Sequence, residues 1–322
     1  MIGRDSDGDL EQRVNDLLAG ARAAGARRDV REQARYSGEA MDVCRVLVGR
    51  HPGNTRHVAA LAGGLYNHAY RLIQAGRPAQ ARDTLTEAVG HYTTLVAADR
   101  RRYTVRLCDV RLRVALTYIM EGGYDEAVRA GRAALAGYEA VAGGDRLERE
   151  FGLVRTHTLI GRALLLGGQP GTALDEFDTA LFAAERLREE AGIAGTDFSW
   201  LASAPESFRQ AAPEWLGAAV AAMELHDAAG KWSVAAGAAN IAMRVAGGLA
   251  AIGDDTAYRR FEAIMARAKE IWWAAEHPVQ AAARRTGPTE EFMIGGGGLL
   301  HGPRLEPNLT VISRLAGWGD PS

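Results

Sequence analysis

The sequence predicts an all-α fold: an α-solenoid of antiparallel helix pairs followed by an irregular C-terminal extension. Three observations carry this. A glycine-punctuated turn occurs four times before a helix that opens on alanine: AGRPAQA (75–81), GGYDEA (122–127), GGQPGTA (167–173) and AGKWSVA (229–235). Ala81, Ala127 and Ala173 lie 46 residues apart, and Ala235 follows after 62. Alanine, leucine and arginine dominate the 322 residues, hydrophobic content is 47%, and strand formers do not cluster in runs. A turn repeated at fixed distance means that one helix-turn-helix unit has been copied and stacked, because such a unit buries its apolar face only against a neighbour.

The elements follow in order. Leu10, Val14, Leu17, Leu18 and Ala21 recur at periods of three and four and mark a first helix that Gly25 ends. A second runs from about 28 to 50 on a stripe of Ala34, Ala40, Val43, Cys44 and Leu47, and His51-Pro52-Gly53 stops it. Residues 55–75 and 79–98 form the next pair, with Pro78 in a first turn where its missing N–H costs nothing. Pairs at 102–121 with 125–141 and at 148–166 with 170–190 follow. The 16 extra residues in the last spacing fall in 192–213, a segment with Gly, Pro, Ser, Phe198, Trp200 and Phe208. A fifth pair is expected at 214–229 and 232–250, and a capping helix at 255–276. The repeat domain thus spans 10–276. From Gly287 to Ser322 glycine and proline exclude a long helix, yet Phe292, Met293, Ile294, Leu299, Leu300, Val311, Ile312 and Trp318 favour burial, so this extension is expected to dock.

Aligned on their turns, the pairs resemble tetratricopeptide repeats. The best copy is LIGRALLLGGQPGTALDEFDTAL, in which Gly161 stands where that family places the small residue for close helix approach. Gly168 marks the turn, Ala173 the small residue facing the first helix, Phe177 the bulky packing residue and Ala180-Leu181 the closing pair. Ala115, Tyr118, Gly122, Tyr124, Ala127, Ala134 and Leu135 match in the third pair, and Ala69, Leu72, Gly76, Ala81, Leu85 and Ala88 in the second. The resemblance covers about residues 10–250 and implies a right-handed superhelix. It departs in two respects: the signature tryptophan is missing from every first helix, and the family period of about 34 residues is exceeded, so the helices run longer. In this it resembles the long-helix type found in bacterial regulatory and signalling proteins.

In such arrays the first helix of each pair lines a concave side. The register puts Tyr66, Asn67 and Tyr70, then Asp109 and Arg113, then Arg155 and Arg162, then Glu224 on that face. Tyrosine and arginine are enriched at interface hot spots because they join large area to fixed donors. The resemblance to peptide-binding arrays implies that Asn67, Arg113 and Arg162 hold a carboxylate, although the lysines and second asparagine of the co-chaperone clamp are missing. Trp200 and Phe208 in the insertion are further candidates for partner contact, as a docking loop or lid. The tail is a candidate internal occupant of the groove, with Phe292–Leu300 lying in it.

Other chemistries are weakly represented. Net charge is −2, with 20 Arg against 16 carboxylates in residues 1–130 and 18 Lys or Arg against 24 in 131–322, which argues against a polyanion-binding surface. Arg100–Arg102 reads as a solvated helix start rather than a nucleic-acid reader, since no aromatic platform accompanies it. Cys44 and Cys108 read as buried small hydrophobes. No nucleophile, metal or phosphate-loop motif is found, and no cofactor is expected; His157 and His226 stand nearest the groove. No uncharged run reaches the ~18 residues of a bilayer span, and MIGRDSDGDLEQ lacks a signal core. The expectation is a cytoplasmic, non-catalytic scaffold or sensor binding a protein or peptide, without nucleic-acid or membrane partners. The alternative is a helical enzyme or small-molecule binder whose pocket is closed by 192–213 and the tail.

Overall fold

A computed structural model describes residues 6–141, 146–193, 198–253, 255–286, 308–316 and 318. No strand occurs among them. The chain divides into two compact units, Met1–Gly152 and Leu153–Ser322.

The first unit is a run of helix hairpins. α1 (Asp7–Ala26) packs on α2 (Val30–Arg50), α3 (Thr55–Gln74) on α4 (Pro78–Ala98) and α5 (Arg100–Met120) on α6 (Tyr124–Glu139), while α2 meets α3 and α4 meets α5. Each helix therefore covers the one before and the one after, as the copied-unit reading requires. Leu61, Leu65, Leu85, Ala88 and Leu95 are fully enclosed between α3 and α4. Local chemistry sets the ends. Ser6 and Asp9 form a capping box on α1, Asn54 accepts from Arg56 and His57 at the start of α3, and Asp99 accepts from Arg102 at the start of α5. Arg100–Arg102 are exposed there.

The second unit holds the remainder of α7 (Arg146–Leu166), α8 (Pro170–Glu190), α9 (Trp200–Ser203), α10 (Glu206–Ala228), α11 (Trp232–Ala251), α12 (Asp255–Glu276), α13 (Pro278–Thr286) and α14 (Leu309–Ala316). α10 meets α8, α11 and α14, and α11 meets α12. By length and composition α11 is the one described helix that could cross a membrane. It also carries Arg244 bonded to Glu185 and is packed between α10 and α12, the situation of a core helix.

The glycine turns have one geometry. Gly76, Gly122, Gly168 and Gly230 sit at φ between 70° and 78°, where a Cβ would be strained. Each is followed by an N–H that reaches back five residues, as Gly123 does to the Tyr118 carbonyl and Gln169 to that of Leu164. This closes the first helix in a Schellman turn and reverses the chain. The alanines after the turns, Ala81, Ala127, Ala173 and Ala235, have no exposed surface. Pro78 and Pro170 stand at the first helical positions of α4 and α8. Helices of 20 and 21 residues in the second pair, and 21 and 21 in the fourth, account for the long period.

Gly161 meets its expected role. A Cβ built on it would lie 2.8 Å from the Phe177 ring, so α7 approaches α8 to a distance that only glycine permits. Burying Phe177 completely stabilises the pair by about 2–3 kcal/mol. Gly137 does the same for Cys108. Both cysteines are buried, and burial raises their thiol pKa values, that of Cys108 to about 11.

Two expectations are corrected. α10 begins at Glu206 rather than 214, with Pro213 inside its second turn on an exposed side. α14 occupies part of the extension read as irregular. Asn308 caps α14 by accepting from the Val311 N–H at 3.1 Å, which accounts for a polar residue at that place.

Candidate functional site

In the first unit the first-helix face of α3 and α5 carries Tyr66, Asn67, Tyr70 and Arg113 together. Tyr66 and Tyr70 are one helical turn apart on α3, so their side chains share one face of the helix. Arg113 from α5 reaches over both, 4.6 Å from the Tyr66 centroid and 4.9 Å from that of Tyr70, and donates to Tyr66 Oη at 2.8 Å. No described carboxylate pairs with it. Tyr70 is 47% exposed and Asn67 is exposed beside it. The result is a cation held in fixed geometry by two aromatic faces, with its remaining donors unneutralised.

Asp109 has a different part. It is buried and accepts from Tyr138 Oη at 2.6 Å, with Arg106 at 3.7 Å. It ties α5 to α6 and does not line the exposed face.

An open groove of about 410 Å³ among α2, α3 and α4 has Arg31, Arg35, Glu39, Asp42, His68 and Arg77 among its lining residues. Ser37 Oγ lies 3.0 Å from the Ala34 carbonyl and 2.8 Å from His68 Nδ1. One hydroxyl proton serves one acceptor, so with Ser37 donating to Ala34, neutral His68 donates from Nδ1 and keeps Nε2 as an acceptor. Burial and the charges of Arg71, Arg45 and Arg77 push its pKa down from 6.5 to about 4, against a smaller raising effect of Asp42. The folded value lies below the unfolded one, so on acidification the unfolded chain takes up this proton first. The stabilising contribution is complete above about pH 6.5 and declines between 6.5 and 4. A His68→Gln chain is accordingly expected to lose stability less steeply than wild type across that window in urea titrations; parallel curves would refute the assignment.

In the second unit the predicted residues separate. Arg155 and Arg162 lie half-buried on α7. Arg162 engages the C-terminal segment: its guanidinium is 5.2 Å from the Trp318 ring, and Nη2 donates to the Trp318 carbonyl at 2.9 Å. Glu224 is 7% exposed and forms a bidentate pair with Arg267 of α12, at 2.7 and 2.9 Å, so it braces α10 against α12. The same guanidinium donates to Asp227 at 2.6 Å. His157 meets Glu176 at 2.7 Å and His226 meets Asp178 at 3.1 Å, both pairs linking neighbouring helices. Among the described residues no group of three or more His, Cys, Asp or Glu is placed to hold a metal ion.

Trp200 and Phe208 of the insertion are packed rather than displayed, while Phe198 stays 41% exposed. Trp200 is 3% exposed, crosses Trp215 edge-on at 5.7 Å and donates to the Arg244 carbonyl at 3.1 Å; Phe208 is fully enclosed. The physical reason lies in α11. Gly247 and Gly248 leave open slots that Phe198 and Trp200 fill, so the inserted residues cover α10 and α11. The glycine pair inside an otherwise alanine-rich helix was the available sign of this. The other unforeseen contact is Trp318 with Gly217, where a Cβ would lie 2.8 Å from the indole nitrogen. The amphipathic run LTVISRLA next to Trp318 was its signal. Phe292–Leu300, the expected occupant, and 194–197 of the insertion lie outside the described residues.

The consecutive helix pairs, their turns and the Gly161–Phe177 packing define an all-α helical repeat fold built of antiparallel pairs. No family model matches the sequence, and no curated protein matches it. Among solved structures, a kinesin light chain with nearly identical TPR-like repeats from Podosopora anserina is 13% identical. It aligns over 72% of this chain and 94% of its own, with a TM-score of 0.48. BtubC (BKLC) from P. vanneervenii is 14% identical over 92% of this chain and 99% of its own, with a TM-score of 0.39. At these values the fold assignment stands on the chain's own helix pairs.

Proposed function

We propose that the chain is a non-catalytic scaffold or sensor of bacterial signalling or regulation, cytoplasmic, and that the Tyr66–Asn67–Tyr70–Arg113 face takes an acidic segment of a protein or peptide partner. What supports this is Arg113: a guanidinium fixed between two tyrosines, on an exposed face, with no described carboxylate to neutralise it. A partner carboxylate would accept charge-assisted bonds from it, with the Asn67 amide beside it as a further donor, while Tyr70 supplies apolar contact area.

The test is a random peptide library panned on the whole chain. Wild type is expected to enrich sequences bearing Asp or Glu. Arg113→Glu should lose that enrichment and weaken the selected peptides by about 10- to 100-fold, the range of a lost charge-assisted hydrogen bond. Selected peptides without acidic bias, or binding indifferent to Arg113→Glu, would remove the reading.

A further inference from the structure

The C-terminal segment Asn308–Trp318 is built like a ligand. An isolated eight-residue helix is too short to persist in water, so α14 owes its form to the surface beneath it. Asn308 caps its start, and the Trp318 N–H closes its end on the Ser313 carbonyl at 2.8 Å. Ile312, Leu315 and Ala316 turn inward and are at most 4% exposed. α14 packs chiefly on α10 and touches α12.

The end of the segment is read by three helices. Phe177 of α8 stacks on the Trp318 ring at 5.9 Å with 24° between planes. Arg162 of α7 lies against the same ring and bonds the main-chain carbonyl. Gly217 of α10 supplies the slot, since a side chain there would meet the indole at 2.8 Å. The main-chain bond is indifferent to sequence, whereas the slot selects a flat aromatic ring. Ile312, Leu315 and Trp318, three residues apart in turn, make up the motif that the surface recognises.

We propose that this α7–α8–α10 face is a binding site for a short apolar helix ending in tryptophan, and that the chain fills it with its own Asn308–Trp318 as an exchangeable ligand. A partner segment of the same chemistry gains the site by displacing the tail. An internal occupant lowers the apparent affinity for an outside ligand by the fraction of time the site is empty. This site is separate from the Arg113 face, and its test leaves that face unchanged.

The experiment uses the full chain and a fluorescein-labelled synthetic peptide of residues 306–322, read by anisotropy. Trp318→Ala in the chain empties the slot and should bind the peptide about tenfold more tightly than wild type, by the same empty-fraction relation. A peptide carrying Trp318→Ala should not bind, and adding Arg162→Glu to the emptied chain should cost about tenfold again. Gly217→Val, which fills the slot with the tail sequence intact, should speed amide exchange across Leu309–Ala316 while α11 and α12 keep their protection. The proposal is overturned if the emptied chain binds the peptide no better than wild type. It is also overturned if Trp318→Ala or Gly217→Val speeds exchange throughout α10–α12, which would make the segment part of the core.

Discussion

Phe177→Ala is expected to destabilise the second unit by about 3–5 kcal/mol, the range for a fully enclosed phenylalanine. The ring has no exposed surface, and the backbone beneath it at Gly161 cannot move inward to refill the space, because two long helices already meet there. With ΔS of unfolding scaled to a unit of this size, the melting temperature should fall by roughly 10 °C. Phe177→Leu retains most of the volume and should cost far less. The converse change, Gly161→Ala, places a methyl 2.8 Å from the ring and should cost about 1–3 kcal/mol by overpacking. Combined with Phe177→Leu it should cost less than the sum of the two. Urea titrations of the four chains decide the matter; a loss under about 1 kcal/mol for Phe177→Ala would show that the ring does not fill this space.

Arg267→Met should be nearly as damaging, at about 3–5 kcal/mol. Burial disfavours the charged guanidinium, yet its bonds to Glu224 and the charges of Glu224 and Asp227 outweigh this and hold its pKa above the ordinary value. Removing it leaves two carboxylates, 7% and 4% exposed, without the cation that balances them. The cost arises mainly from the groups left behind, so neutralising them should restore much of it: Arg267→Met with Glu224→Gln and Asp227→Asn is expected to recover more than half. If the triple variant is no more stable than the single one, packing of the Arg267 stem, rather than charge, holds α12 to α10.

The repeat was legible because turn chemistry is local. A glycine needed at positive φ, a proline tolerated at a first helical position and an alanine facing a close neighbour each leave a mark on the sequence at a fixed place. That Tyr66, Tyr70 and Arg113 lie together was legible for the same reason: register alone sets two residues one turn apart, and the 46-residue spacing brings the arginine opposite them. Glu224, Trp200 and Phe208 were misjudged because their fate depends on a third helix. Glu224 would face outward on an isolated pair, and only α12, with Arg267, encloses it. Trp200 and Phe208 looked like display residues until the slots at Gly247 and Gly248 were set against them. The tail was expected to dock, and among its described residues the amphipathic stretch leading to Trp318 does so, because three apolar residues share a face.

The Gly161–Phe177 socket also bears on how such a sequence can drift. Neither residue can change alone without a cavity or a clash, so under selection for folding the two positions form one unit of inheritance, as do Gly137 and Cys108. Exposed helix faces carry no such ties and are free to diverge. Chains built this way can keep their architecture while losing nearly all recognisable identity, since what must be preserved is a set of matched volumes and turn conformations rather than particular side chains.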